Sequence, residues 1–168
     1  MLGRNKKYMA HLVDLDKIDW LILDELQKDG RITNIDLAQR VGISAPPCLR
    51  RVRRLEAMGV IQSYHARINT AAVGWSLTVF VLVGLDSQKE SVLKEFEAQM
   101  AQLPEVRECH MVRGGVDFLI RFIAKDAEDE NRLTHELTNN PHVARVQTLQ
   151  IIRTSLQREG VPLESNAE

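Results

Sequence analysis

The sequence has no uninterrupted apolar run long enough to cross a membrane as a helix. Its first residues, MLGRNKKYMAH, are basic but are followed by no apolar segment, so we do not expect a secretory signal there. Cysteine is scarce: Cys48 and Cys109 show no CxxC spacing, and we expect two buried free thiols. From these absences we predict no membrane partner, no metal site and no cofactor.

The composition is that of a folded chain with two unlike halves. Hydrophobic residues make up 44% of the 168 residues, which is enough for packed cores in two small domains. Residues 1–70 hold 12 Lys+Arg and 8 Asp+Glu, a balance of +4. Residues 71–168 hold the remaining 10 and 15, a balance of −5, within a total of −1. The N-terminal half is therefore the candidate for facing a polyanion.

Start and stop signals predict three short helices in the N-terminal half. The first runs from the candidate N-cap Asp16 to Gly30, and the second from Thr33 to Gly42. The third runs from the candidate N-cap Ser44 to Gly59. Pro46 and Pro47 fall in its first turn, where a missing N–H group costs little.

From residue 77 onward the pattern changes to strands that alternate with amphipathic helices. We predict strands at Thr78–Leu85, Val106–Val112, Phe118–Ala124 and Val143–Ile152, with helices opened by the capping box Ser87-Gln88-Lys89-Glu90 and by Asp126. The motif Pro-x-Val occurs at Pro104 and again at Pro141, each time directly before a strand that follows a helix. This spacing suggests two βαβ units in tandem. The order βαββαβ is ferredoxin-like.

The predicted fold class is α+β, with an N-terminal helix-turn-helix (winged-helix-like) domain and a ferredoxin-like domain. We place the first domain at residues 14–62, an extended hinge at 63–76 and the second domain at 77–163. Two helices cover only one face of a four-stranded sheet, and the first strand is apolar on both faces. Because an open apolar face normally marks an interface, we expect a homodimer through residues 77–152.

The second and third predicted helices have the features of a helix-turn-helix that reads DNA. Ala38 supplies the small residue that faces the partner helix, and Gly42 supplies the turn. On a helical wheel, Cys48, Val52 and Leu55 lie on one side of the third helix.

The opposite side of that helix carries most of its positive charge. The candidate DNA-binding residues are Ser44, Ala45, Pro46, Pro47, Arg50, Arg51, Arg53 and Arg54. Guanidinium groups suit both bidentate contacts to guanine and contacts to phosphate. Residues 45–47 and Arg50 are expected at base edges, Arg51 on the flank, and Arg54 at a phosphate. A solvated basic face that pairs with acids such as Glu56 is the alternative.

A family resemblance is carried by the segment LDKIDWLILDELQKDGRITNIDLAQRVGISAPPCLRRVRRLEAMGVIQSYHARIN, residues 15–69. It is similar to the leucine-responsive regulatory protein/asparagine-regulator (Lrp/AsnC) family, and the resemblance continues to about Leu163. It implies a cytoplasmic regulator that binds double-stranded DNA, dimerises through its C-terminal sheets and often forms tetramers or octamers. It also implies a small-molecule effector, commonly an amino acid, between regulatory domains.

The resemblance places the effector near the turn between the second and third strands, residues 112–118. Gly114 and Asp117 match the family's Gly-x-x-Asp pattern, whereas Arg113 replaces a residue that is often small or hydroxylated. Two glycines expose backbone groups, Asp117 suits an α-ammonium and Arg113 a carboxylate. The candidate effector-binding residues are therefore Arg113, Gly114, Gly115 and Asp117. The alternative is a plain glycine hairpin in which Asp117 accepts local N–H groups.

Two other functions are compatible with this architecture. Sirohaem decarboxylases resemble the family and use histidines, and this chain has His11, His65, His110, His135 and His142. His110 is the candidate, but no metal-ligand spacing or nucleophile–base pair accompanies it. An arginine-rich recognition helix favours a regulator over such an enzyme. A DNA-architectural protein would carry the same motifs, and only the ratio of specific to non-specific affinity separates it from a local regulator.

Overall fold

The computed structural model describes residues 14–158 and 160–163, which fall into two units. The first unit comprises the described residues up to Ala66 and those from Gln157 onward, and the second is Arg67–Leu156. The C-terminal segment that we assigned to the regulatory domain therefore lies with the helix-turn-helix. None of the described helices is both long enough and apolar enough to span a membrane.

Three helices form the first unit: α1 (Lys17–Lys28), α2 (Asn34–Val41) and α3 (Ala45–Ala57). Their predicted starts are confirmed. Asp16 caps α1 in a reciprocal box, accepting the N–H of Asp19 while the Asp19 carboxylate accepts the N–H of Asp16. Thr33 caps α2, whereas Ser44 precedes α3 without a side-chain cap hydrogen bond.

One face of each helix forms the core of the first unit. Its fully or almost fully buried members are Ile22, Leu37, Ala38, Val41, Cys48 and Leu55. Each of the larger aliphatic side chains contributes on the order of 1.5–3 kcal/mol by leaving water. Burial raises the pKa of the Cys48 thiol, which keeps this residue a protonated packing group. The core fixes α3 against α1 and α2 with its other side facing outward.

The second unit is the predicted ferredoxin-like domain. After a short 3₁₀ helix at Ala71–Val73, its elements are β1 (Leu77–Leu85), α4 (Glu90–Gln102), β2 (Val106–Met111), β3 (Phe118–Ala124), α5 (Ala127–Thr138) and β4 (Val143–Gln150). The sheet order is β2-β3-β1-β4, and each neighbouring pair is antiparallel. This order and the βαββαβ sequence confirm the predicted fold. The predicted extended hinge contains the 3₁₀ helix, so it is not extended throughout.

Alternation along β1 separates a covered face of the sheet from an open one. Val79, Val81 and Val83 are fully buried in the core with α4 and α5. Phe80 and Leu82 point to the opposite face because successive strand residues alternate. Both α4 and α5 pack in the core on the first face. In the described part of the second unit, no helix covers the second face.

The predicted capping box at Ser87 is wrong. Helix α4 begins at Glu90 with Lys89 as its N-cap, and the Ser87 hydroxyl accepts the Lys89 N–H at 3.3 Å. The side chain of Gln88 donates instead to Asp117, at 3.0 Å. The helix therefore starts later than the local motif predicts, with extended backbone at Lys89.

Candidate DNA interface and effector turn

The turn between α2 and α3 has the geometry that a helix-turn-helix requires. Gly42 ends α2 with φ of 75°, a left-handed conformation that other residues rarely adopt. The next N–H group, that of Ile43, donates to the carbonyl of Ala38 at 3.0 Å. The side-chain amide of Asn34 donates to the carbonyl of Ala45 at 2.9 Å, which ties the start of α2 to the start of α3.

The outer face of α3 presents most of the predicted DNA-binding residues. Ser44, Pro46, Arg50, Arg53 and Arg54 are exposed, whereas Ala45, Pro47 and Arg51 are half-buried. Pro47 is therefore less outward than its helical-wheel position indicates. Within residues 14–158 and 160–163, neither Arg50 nor Arg53 forms an ion pair. These two guanidinium groups are available to a polyanion.

Arg51 and Arg54 are instead held by two carboxylates of α1. The Arg51 Nη1 atom lies 2.6 Å from Asp16 Oδ2 and 2.8 Å from Asp19 Oδ1, and Arg54 Nη2 pairs with Asp19 Oδ2. Asp19 has a fully buried side chain, and it also accepts the backbone N–H of Asp16. Arg54 is exposed, as predicted, but it also pairs with an acid of α1, which the helical wheel does not show. A wheel drawn for one helix cannot show an acid 35 residues earlier in the sequence.

The ion pair between Asp16 and Arg51 favours the charged forms of both residues. Partial burial opposes ionisation of Asp16, but hydrogen bonds from the Asp19 N–H and from Arg51 lower its pKa below the usual value. The same contacts, first with Asp16 and then with Asp19, raise the pKa of Arg51. Two positive and two negative charges thus sit together beside the recognition helix.

Replacing Arg54 with alanine is expected to destabilise the first unit. The change leaves a fully buried Asp19 oxygen without its guanidinium donor, which costs about 1–3 kcal/mol. Urea unfolding, followed through Trp20 of α1 in a Trp75→Phe background, measures the loss. Arg53→Ala is the matched control, because it removes the same group from the same helix without leaving a described carboxylate unpaired. Equal stability of the two variants would contradict the structural role of Arg54.

The turn between β2 and β3 is anchored by Asp117. Its Oδ2 atom accepts the N–H of Leu85 at 2.7 Å, and its Oδ1 atom accepts the Gln88 side-chain amide at 3.0 Å. The backbone N–H of Asp117 donates to the carbonyl of Val83 at 2.9 Å. The N–H that Asp117 accepts belongs to β1 rather than to the turn itself, so this bond is not the local one of the hairpin alternative. A carboxylate has about four lone-pair sites, so two acceptor positions remain.

The two glycines of this turn leave open space where a side chain would be. They do not adopt a backbone conformation that requires glycine. Neither Gly114 nor Gly115 has a positive φ, and a Cβ on either would meet nothing within 4 Å. A positive φ at Gly114, which would make glycine obligatory, is therefore not found. Arg113 beside them is exposed and forms no ion pair with another described residue.

The histidines do not gather into one site. His110 lies on β2 beside Glu108 at 3.5 Å, and His142 pairs with Asp86 at 3.2 Å. His65 is exposed in the first unit and His135 lies on α5, while His11 is outside the described residues. Across residues 14–158 and 160–163, no three metal-ligating side chains come together in a way that could hold an ion.

The two cysteines also differ from each other. Cys48 is buried, as predicted, whereas Cys109 is only half-buried. Burial raises the pKa of the Cys109 thiol to about 11, with a smaller contribution from the charge of Glu97. Both are free thiols in the structure. At neutral pH neither has the thiolate character of a reactive cysteine.

Comparison with known proteins agrees with this geometry. Residues 15–62 match a winged helix-turn-helix DNA-binding domain, and residues 78–161 match the Lrp/AsnC ligand binding domain. A leucine-responsive regulatory protein from Rhizobium meliloti is 51% identical over 146 residues, which cover 86% of this chain and 94% of that protein. The protein of that name from Escherichia coli is 46% identical over 123 residues, 73% of this chain and 75% of its own length.

Solved structures show the same two-part plan. A transcriptional regulator from Neisseria meningitidis, determined as a complex with L-Met, superimposes with a TM-score of 0.85 at 30% identity, covering 89% of this chain and 97% of that one. An AsnC family regulator from Agrobacterium tumefaciens gives 0.83 at 30% identity over the same shares.

A helix-turn-helix with exposed arginines, joined to a ferredoxin-like domain of the ligand-binding type, defines a DNA-binding transcriptional regulator. The extent of the matches shows the family as well. The chain belongs to the Lrp/AsnC family of transcriptional regulators.

Proposed function

We propose that this regulator recognises a pseudo-palindromic DNA site as a homodimer and changes its binding when an amino acid occupies the regulatory domain. The observation that carries the DNA part is the outer face of α3, where Arg50 and Arg53 are exposed and have no described ion pair. Residues near the start of a recognition helix meet base edges, so residues 44–47 and Arg50 are assigned to base contact. Arg53, one turn further along, is assigned to a phosphate.

Arg50→Ala is expected to relax the preference at one or two base pairs and to cost about 1–3 kcal/mol on the specific site. The site is first selected from random duplex DNA with the full chain, and affinities are then measured on that site and on its single-base variants. Arg53→Ala is the matched control. It should weaken binding on every sequence, and the slope of log K against log salt should become shallower by about the amount expected for one phosphate contact. Equal losses for Arg50→Ala on selected and random DNA would contradict base readout by this residue.

The dimer part rests on the open face of the sheet. Phe80 and Leu82 of β1 lie beside Leu119 of β3 and Leu149 of β4 in the strand register. Leu149 is 44% exposed in the single chain. Two copies that place these faces together would bury this apolar group, with Arg121 and Gln147 beside it, and tetramers or octamers would be further associations of such dimers.

The effector part rests on the turn at residues 113–117. The open space above Gly114 and Gly115 admits a small ligand, and Asp117 keeps acceptor positions for an ammonium group. Arg113 is exposed and suits a carboxylate. The Neisseria regulator, which was solved with L-Met, has the same fold, and this favours an amino acid as the effector.

The proposal places the protein in the cytoplasm and gives it no enzymatic activity. Family membership supports a regulator, and the described histidines are scattered over both units rather than assembled at one cavity. The DNA-architectural alternative is tested by the same selection experiment. A protein that bridges DNA without sequence preference would yield no enriched site and a ratio of specific to non-specific affinity close to one.

A further inference from the structure

The acidic residues beside the recognition helix reduce the positive charge that this helix offers to DNA. Asp16 and Asp19 of α1 pair with Arg51 and Arg54 of α3, and Asp19 is fully buried between them. Four arginines lie on α3 between positions 50 and 54, but two of their charges are thus compensated. A DNA duplex therefore meets two uncompensated guanidinium groups on this helix rather than four.

We propose that Asp16 and Asp19 set the DNA affinity of the recognition helix, because they neutralise and hold Arg51 and Arg54 and so restrain the attraction of this helix to DNA of any sequence. This inference rests on the proposed DNA-binding function. Non-specific affinity arises almost entirely from contacts between cations and phosphates. Specific affinity depends in addition on base contacts, which are assigned to other side chains. The carboxylates therefore lower the affinity for every sequence, and random DNA, which offers no selected base contacts, shows this effect most directly.

The geometry of the cluster supports neutralisation rather than delivery of the arginines to DNA. Arg51 uses Nη1 for both carboxylates, and its side chain is only 30% exposed. Arg54 is 46% exposed, but one of its terminal nitrogens is committed to Asp19. A phosphate that approaches either arginine also approaches a carboxylate within hydrogen-bond distance of it, which opposes the contact. Arg50 and Arg53 carry no such opposing charge among the described residues.

Asp16→Asn tests the inference without disturbing the fold. Asp16 is half-exposed, and asparagine is as good an N-cap as aspartate, so α1 keeps its start. We expect the variant to bind random-sequence duplex DNA roughly three- to tenfold more tightly at low salt, and its plot of log K against log salt to steepen by up to about 0.9. Its affinity for the selected site should rise by a similar factor, because phosphate contacts do not depend on sequence.

Asp24→Asn is the matched control. It makes the same charge change on the same helix, but its carboxylate pairs with Lys28 at 2.6 Å. This variant should bind random DNA like the unchanged protein. Unchanged thermal midpoints for both variants show that folding is intact, and Asp19→Asn provides a second test of the cluster if it remains folded.

The other outcomes are equally clear. If both variants gain the same affinity, the effect is one of overall charge and the inference is wrong. If Asp16→Asn leaves random-DNA binding unchanged or weakens it, the carboxylates do not restrain Arg51 and the inference is also wrong. The measurement on random DNA does not depend on base contacts. A selection that yields no preferred site would therefore contradict the proposed sequence-specific function but would leave the test of Asp16 and Asp19 valid.

Discussion

Leu82→Lys is expected to convert the assembled protein into a folded monomer. Leu82 lies in the central strand β1, on the face of the sheet opposite to α4 and α5. In the strand register it is flanked by Leu119 of β3 and Gln147 of β4. A lysine here would place an ammonium group from each copy inside an apolar, self-facing contact. Burying each unpaired charge costs several kcal/mol, so dimer affinity should fall by more than about 100-fold.

Sedimentation equilibrium at micromolar concentration measures this change, and circular dichroism checks that the monomer is folded. Thr138→Lys is the control, because it adds the same charge at an exposed position at the end of α5, on the helical side of the unit. A Leu82→Lys protein that keeps the mass of the unchanged assembly would show that the open face of the sheet is not the interface.

The Leu82→Lys substitution also separates the contribution of dimerisation to DNA affinity from the contribution of the residues on α3. The proposed dimer would bind two half-sites on one duplex tightly, because linking two helix-turn-helix units raises the effective concentration of the second unit. The monomer keeps Arg50 and Arg53 on an intact α3, so its affinity for a single half-site should change little. The loss should therefore appear only on duplexes that carry both half-sites.

Local signals in the sequence predicted the elements well where one residue decides the outcome. Thr33 and Asp126 accept N–H groups at the starts of α2 and α5, and Gly42 supplies the left-handed end of α2. Strand β3 begins and ends where its apolar alternation predicts, at Phe118 and Ala124. In each case the interaction that decides the structure joins residues only a few positions apart, so it can be recognised from the local sequence.

The predictions that failed depend on partners distant in the sequence. The box at Ser87 is a valid local motif, but the bond from Gln88 to Asp117 competes with it. Arg54 is exposed, as predicted, but its ion pair with Asp19 was missed because it forms only when α1 lies beside α3. Asp19, in the first turn of α1, is already explained locally as half of a capping box. Nothing in the sequence therefore indicated that it also pairs with arginines of α3.

Asp117→Asn is expected to remove the response to the effector while leaving the unliganded protein intact. Asparagine keeps an oxygen for the Leu85 N–H, which Asp117 accepts at 2.7 Å, so the joint between β1 and the turn is preserved. The change removes the negative charge that an α-ammonium group requires. Charge-assisted hydrogen bonds contribute about 1.5–3 kcal/mol, so amino-acid affinity should fall by at least about tenfold. Asp117→Ala is a poorer test, because it also removes the acceptor for that N–H.

The measurement is a calorimetric screen of the twenty amino acids against the unchanged protein, followed by titration of any ligand found into the variant. Asp86→Asn is the matched control: it removes one charge from a carboxylate next in sequence to Leu85, but that carboxylate pairs with His142 and has no bond to the turn. If the ligand contacts two chains, its affinity must be coupled to assembly, so both proteins are also titrated with DNA in the presence and absence of ligand. If no amino acid binds, or if Asp117→Asn binds it unchanged, residues 113–117 are only a structural hairpin and the proposed effector site is wrong.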